Sequence, residues 1–101
     1  MTDKTDTTRR TVTVRIEGRV QGVYYRAWTD QNARALGLDG TVRNRNDGSV
    51  EAVFSGPADT VAEMLRRCAI GPPDAKVTDV IVTEEGGAPR SGFRVIGTNW
   101  R

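Results

Sequence analysis

The 101-residue chain predicts an α+β domain: a mainly antiparallel sheet with two helices on one face, a split β-α-β sandwich of the ferredoxin-like kind. Three observations predict it. Apolar and polar residues alternate in several short runs, the mark of half-buried strands. Two further runs place apolar residues at helical spacing. The runs follow one another as β-α-β-β-α-β plus a short closing strand, so two helices share one sheet and cover one of its faces.

Residues 1–10 are polar and charged and read as a flexible N-terminal arm, leaving 11–101 as a single domain. From Thr11 to Gly18, Val12, Val14 and Ile16 face one way and Thr13, Arg15 and Glu17 the other. A loop with two glycines comes next, Gly18 to Val23. From Tyr24 to Leu36 the spacing predicts a helix with Tyr25, Thr29, Ala33 and Leu36 on its inner face, Trp28 beside them and Gly37 at its C-terminal end. Gly40 to Arg45 is the second strand, Asn46-Asp47-Gly48 the hairpin turn, and Ser49 to Ser55 the third strand, with Val50, Ala52 and Phe54 on one face. Pro57 opens the second helix, with Ser55 or Gly56 as its cap. Val61, Met64, Leu65 and Cys68 form its apolar stripe, and Gly71-Pro72-Pro73 stops it. Val77 to Thr83 is the fourth strand, Glu84 to Gly92 a flexible polar connection, and Phe93 to Ile96 the closing strand.

Composition removes several function classes. No apolar run approaches the roughly 20 residues of a membrane helix. The first ten residues hold no signal-peptide segment, so a cytoplasmic location and no membrane partner are expected. A single cysteine, Cys68, excludes an intrachain disulfide and a cysteine-cluster metal site, and no carboxylate cluster suggests magnesium. The net charge of +2 is far from that of a nucleic-acid tail. The chain has no histidine. Catalysis here must proceed without the commonest general base.

Two places could carry chemistry. At Gly18 to Arg26 a strand ends, glycines free the backbone and a helix begins. Converging N–H groups and the helix dipole would favour an anion there, with Arg26 in the first turn to close over it. The same residues also suit an ordinary strand-to-helix loop with a surface arginine, and spacing does not separate the two. The second place is Asn44, before the hairpin. Its amide could hydrogen-bond and aim a water but not deprotonate it. Taken alone, asparagine near a turn is better read as doing turn chemistry.

The run Gly18-Arg19-Val20-Gln21-Gly22-Val23-Tyr24-Tyr25-Arg26 resembles the first signature of the acylphosphatase family. Gly37-Leu38-Asp39-Gly40-Thr41-Val42-Arg43-Asn44, followed by Asp47-Gly48-Ser49-Val50-Glu51, resembles the second. Gly71-Pro72-Pro73 with Ala75-Lys76-Val77, and Ser91-Gly92-Phe93, are also similar to that family. The resemblance runs from about Thr11 to Val95. It implies the sheet order 4-1-3-2 with both helices on one face. It implies that the backbone amides of Val20, Gln21, Gly22, Val23, Tyr24 and Tyr25, with the Arg26 side chain, bind phosphate, and that Asn44 positions the attacking water. It further implies hydrolysis of small-molecule acyl phosphates to carboxylate and inorganic phosphate, with no metal, no cofactor and no phosphoenzyme. A monomer suffices. Two positions depart from the pattern. Tyr25 stands where the family usually has phenylalanine or methionine, so its hydroxyl needs a partner or solvent. Thr41 stands where an aromatic is usual.

That chemistry closes without histidine. The leaving carboxylate has a conjugate acid of pKa about 4 and departs without a general acid. Phosphoryl transfer through a loose transition state needs little activation of the nucleophile. Positioning and charge stabilisation remain. Cys68 reads as a core residue, and Ser49, Ser55 and Ser91 have no histidine to activate them. Two other readings of the same fold are a nucleic-acid or effector-binding module and a phosphate-binding regulatory domain without turnover. An RNA-binding module would carry aromatics on the open face of its central strands. The first strand here has none, and Phe54 shares the parity of Val50.

Overall fold

Val12, Val14 and Ile16 have no exposed surface, and they define the inner face of the first strand, β1 (Arg9–Arg19). Full burial of each such side chain contributes on the order of 2 kcal/mol. The computed structural model describes residues 8–97. After β1 come α1 (Tyr25–Ala35), β2 (Asp39–Asn44), β3 (Val50–Pro57), α2 (Ala58–Ile70), β4 (Lys76–Glu85) and β5 (Phe93–Val95). The sheet order is β4-β1-β3-β2-β5. The first four strands pair antiparallel in the expected 4-1-3-2 order, and β5 adds a parallel edge beside β2.

Both helices lie on the face marked by Val12, Val14 and Ile16, and the core fills the space between. Tyr25, Thr29 and Ala33 of α1 and Val61, Met64 and Cys68 of α2 are buried, with Trp28, Leu36 and Leu65 packed against them. Phe54 of β3 stacks on Phe93 of β5 with ring centroids 5.7 Å apart. The helix α1 closes as Gly37 suggested. The Leu38 N–H donates to the Ala33 carbonyl at 2.9 Å and the Gly37 N–H to that of Arg34 at 3.0 Å, the paired bonds of a Schellman turn.

Several element ends differ from the sequence expectation, each for a contact that local pattern does not encode. β1 begins at Arg9, inside the segment read as an arm. Arg9 and Arg10 pair with Pro57 and Gly56, and the Arg10 guanidinium forks onto Glu85 at 2.9 and 3.2 Å. Residues 1–7 of that arm lie outside the described residues, as do residues 98–101 with Trp100. β4 likewise runs on through Glu84 and Glu85, which read as loop: they pair with Thr13 and Val12, and the Glu85 carboxylate meets Arg10. The cap of α2 is neither Ser55 nor Gly56. Both belong to β3, the Ser55 and Thr11 hydroxyls share a 2.7 Å hydrogen bond, and Pro57 occupies the cap position without a side-chain bond.

Candidate active site

The chain leaves β1 through a backbone contact that only glycine permits. Gly18 has φ 119°, and a Cβ there would lie 2.2 Å from the Lys76 carbonyl oxygen of β4. The β1–β4 register shifts between Glu17 and Gly18, a bulge that redirects the chain. Gly18 is therefore the end of a strand rather than part of the loop. The loop itself is residues 20–24, held by the buried side chains of Val20 and Val23. Gly22 at φ 75° and Tyr24 at φ 71° alternate with Val23, which has no positive φ. Positive φ on both sides of Val23 is the kind of backbone that can turn successive N–H groups toward one point, as an anion-binding nest does. Tyr24 is the one residue other than glycine with positive φ among the described residues. Such strain costs of order 1–3 kcal/mol, and it concentrates at functional sites.

The nest runs into the N-terminus of α1. The Trp28 N–H donates to the Tyr24 carbonyl at 3.1 Å, the first bond of the helix. The N–H groups of Tyr25, Arg26 and Ala27 precede it and have no acceptor within the helix. No side chain caps this end, and its first turn holds no acidic residue. Its partial positive charge is left for an external anion.

Arg26 and Asn44 meet here. A cavity of about 300 Å³ is lined by Val20, Gly22, Tyr24, Tyr25, Arg26, Ala27, Asn44 and Val95. Other arginines are committed to carboxylates: Arg10 to Glu85, Arg15 to Glu17, Arg34 to Asp30 and Arg43 to Glu51. The half-buried Arg26 has no such partner among the described residues. Asn44 ends β2, opposite Val50. Its Oδ1 is buried and accepts no hydrogen bond from the described residues. A buried amide oxygen left this way costs about 1–3 kcal/mol, and a bound water relieves that cost.

The hairpin after Asn44 is tightly built. The Arg45 N–H donates to the Ser49 carbonyl at 2.8 Å and the Gly48 N–H to the Arg45 carbonyl at 3.2 Å. The Asp47 carboxylate accepts from the Ser49 hydroxyl at 2.6 Å and from its N–H at 3.0 Å, which holds the carboxyl down at about 2. The Gln21 Nε2 donates to both the Arg45 and the Ser49 carbonyl, each at 2.8 Å.

Of the residues singled out from sequence, Val20, Gly22, Tyr24, Tyr25, Arg26 and Asn44 line one cavity, while Val23 turns into the core and Gln21 toward the hairpin. Ala27 and Val95 line the cavity without having been singled out. Val95 arrives through the parallel pairing of β5 with β2, which no local pattern signals. Cys68 is wholly buried, and desolvation pushes its thiol up to about 12. That is the core role its stripe suggested. On the sheet's open face, β1 and β3 present Thr13, Arg15, Glu17, Glu51 and Val53, with no aromatic among the described residues.

The model of the family described as acylphosphatase matches residues 12–95. A curated acylphosphatase of Rhizorhabdus wittichii is 52% identical over 80 residues, 79% of this chain and 81% of that one. One of Rhodospirillum rubrum is 52% identical over 84 residues, 83% of this chain and 92% of that one. The solved structure of an acylphosphatase from Coxiella burnetii superposes with a TM-score of 0.84 at 32% identity, covering 94% of this chain and all of that one.

Proposed function

The chain belongs to the acylphosphatase family and hydrolyses the carboxyl–phosphate bond of acyl phosphates, and we propose that it does so with Arg26 and the 20–25 loop amides on the phosphate and Asn44 on the water. The observation that carries the assignment is that an unpaired guanidinium and an unsatisfied buried amide oxygen share one cavity at an uncapped helix N-terminus.

The phosphoryl group sits in the nest, its oxygens accepting from backbone N–H groups of Val20 to Tyr25 and from the Arg26 fork. These donors are fixed before substrate arrives, so they stabilise charge on the equatorial oxygens without reorganising. The Asn44 amide oxygen accepts one proton of a water and aims its lone pair at phosphorus, opposite the leaving oxygen. The new P–O bond forms as the old one breaks, and the bonding pair leaves on the carboxylate. Its conjugate acid has a pKa of about 4, so the carboxylate leaves unprotonated. The water's proton passes to a phosphoryl oxygen. Carboxylate and inorganic phosphate result.

Action without metal, as a cytoplasmic monomer, belongs to the same proposal. Among the described residues no three His, Cys, Asp or Glu side chains gather as a metal site, and no helix is long and apolar enough to cross a membrane. Among the described residues, the open faces of β1 and β3 carry none of the aromatics an RNA-binding module would need, which favours a small-molecule substrate.

The test is hydrolysis of a simple aryl acyl phosphate by the purified chain with chelator present, beside Arg26→Ala. Turnover by the parent chain alone is expected. Loss of the parent's activity on chelation would contradict the metal-free reading, and near-normal activity of the variant would sink the site.

A further inference from the structure

Two parts of the proposed site lie on different segments of the chain. The nest is the β1–α1 loop, and Asn44 is on the strand entering the β2–β3 hairpin. One side chain joins them directly. The Gln21 Nε2 gives one hydrogen to the carbonyl of Arg45, the residue after Asn44, and the other to the carbonyl of Ser49, across the hairpin neck. Both bonds are 2.8 Å, so both donors of the amide are used at good length.

These bonds are additional to what the hairpin needs for closure. The Arg45 carbonyl already accepts from the Gly48 N–H and the Ser49 carbonyl from the Arg45 N–H. A carbonyl has two lone pairs, and Gln21 takes the second on each. Its removal leaves neither carbonyl without a donor. What is lost is the side-chain tie between the loop and the hairpin, and with it the fixed spacing between the nest and Asn44.

We infer that the Gln21 side chain is a positioning residue: it fixes the Asn44 amide relative to the phosphate loop, and so sets the line along which the water attacks. The role rests on the proposed assignment of the nest to phosphate and of Asn44 to water. The Gln21 side chain acts on the rate through Asn44 and touches no reacting atom, while its backbone N–H keeps its proposed place in the loop. Misplacement of an aligned nucleophile by about 1 Å can cost on the order of 100-fold. The consequence should therefore fall on kcat, while the nest, held by the buried Val20 and Val23, keeps its phosphate affinity.

The experiment is a double-mutant cycle between Gln21→Met, nearly isosteric but without donors, and Asn44→Ala, read as kcat for an aryl acyl phosphate together with the Kd of inorganic phosphate. The expected result is a kcat reduced about 10-fold or more in Gln21→Met, phosphate Kd within about threefold of the parent, and no further kcat loss when Gln21→Met is added to Asn44→Ala. Multiplying losses in the double variant would overturn the inference, because Gln21 would then act independently of Asn44. Normal kcat in Gln21→Met, with Arg26→Ala and Asn44→Ala both impaired, would overturn it and leave the site standing. Near-normal turnover in Arg26→Ala and Asn44→Ala would overturn the site and this role together. Gln21→Glu serves if Gln21→Met does not fold. Its carboxylate faces two carbonyls at neutral pH and regains one donor on protonation, so its kcat should rise relative to the parent as pH falls. A parallel profile would overturn the inference.

Discussion

The Tyr25 hydroxyl donates to the main-chain carbonyl of Cys68 at 2.6 Å, joining the start of α1 to the end of α2 inside the core. The donor is needed because of a proline beyond the helix end. Four residues after Cys68, where a helix would supply an N–H for that carbonyl, stands Pro72, which has none. Burial raises the phenol's pKa far above its ordinary value, so it stays protonated and remains a donor.

Tyr25→Phe keeps the ring and its contact with Trp28, 5.3 Å between centroids, but removes that donor. The buried Cys68 carbonyl is then left short of a partner. We expect a loss of about 1–2 kcal/mol, read as a midpoint shift in urea unfolding with an unchanged slope. Unaltered stability would mean that water replaces the hydroxyl at no cost.

That bond also shows how far the sequence could be read. A tyrosine in an apolar helix face announces a need for a partner, and a proline four residues past Cys68 announces an orphan carbonyl. Nothing local says the two meet, 43 residues apart. The element order and both helical stripes were legible because period-2 and period-3.6 patterns are local. Strand ends were not, because Arg9, Arg10, Glu84 and Glu85 join the sheet through cross-strand pairing with Pro57, Gly56, Thr13 and Val12, which is invisible along the chain. At the site, the residues lining the cavity on the loop and at Asn44 were legible through family resemblance. Gln21 was legible only for its backbone amide. The partners of its side chain lie 24 and 28 residues away and are main-chain atoms, which carry no side-chain signal.

Arg26→Lys tests whether the fork matters beyond its charge. Lysine keeps the charge but presents a single ammonium instead of two parallel donors. With the backbone nest intact, kcat/KM for an aryl acyl phosphate should fall about 10- to 100-fold, and Arg26→Ala should fall further. Equal loss in the two variants would show that the bidentate geometry is essential. Parental activity in Arg26→Lys would show that a point charge suffices.

Asn44→Ala removes the amide proposed to aim the water and leaves the 20–25 loop intact. Turnover should drop on the order of 100-fold, as for other preorganised polar groups. Inorganic phosphate should still bind with a Kd within about threefold of the parent, which calorimetry would read directly. The opposite pattern, weaker phosphate binding with normal turnover, would move Asn44 from the water to the anion.

The pH dependence separates chemistry from folding. The side chains lining the cavity include no histidine and no carboxylate, so kcat/KM should be nearly flat between about pH 5 and 8, and a steep sigmoid there would reveal a base outside this scheme. Stability should behave differently at acid pH. Asp47 is held down at about 2 by the Ser49 hydroxyl and N–H. The unfolded chain therefore takes up its proton first as pH falls. The contribution of Asp47 is present above the ordinary aspartate value of about 4 and is lost as pH drops toward 2. Because the carboxylate is exposed, solvent screens it and the effect is small. Thermal melts of the parent and of Asp47→Ala should differ at pH 6 and converge toward pH 2. A difference that persists unchanged at pH 2 would mean that Asp47 acts through something other than its charge.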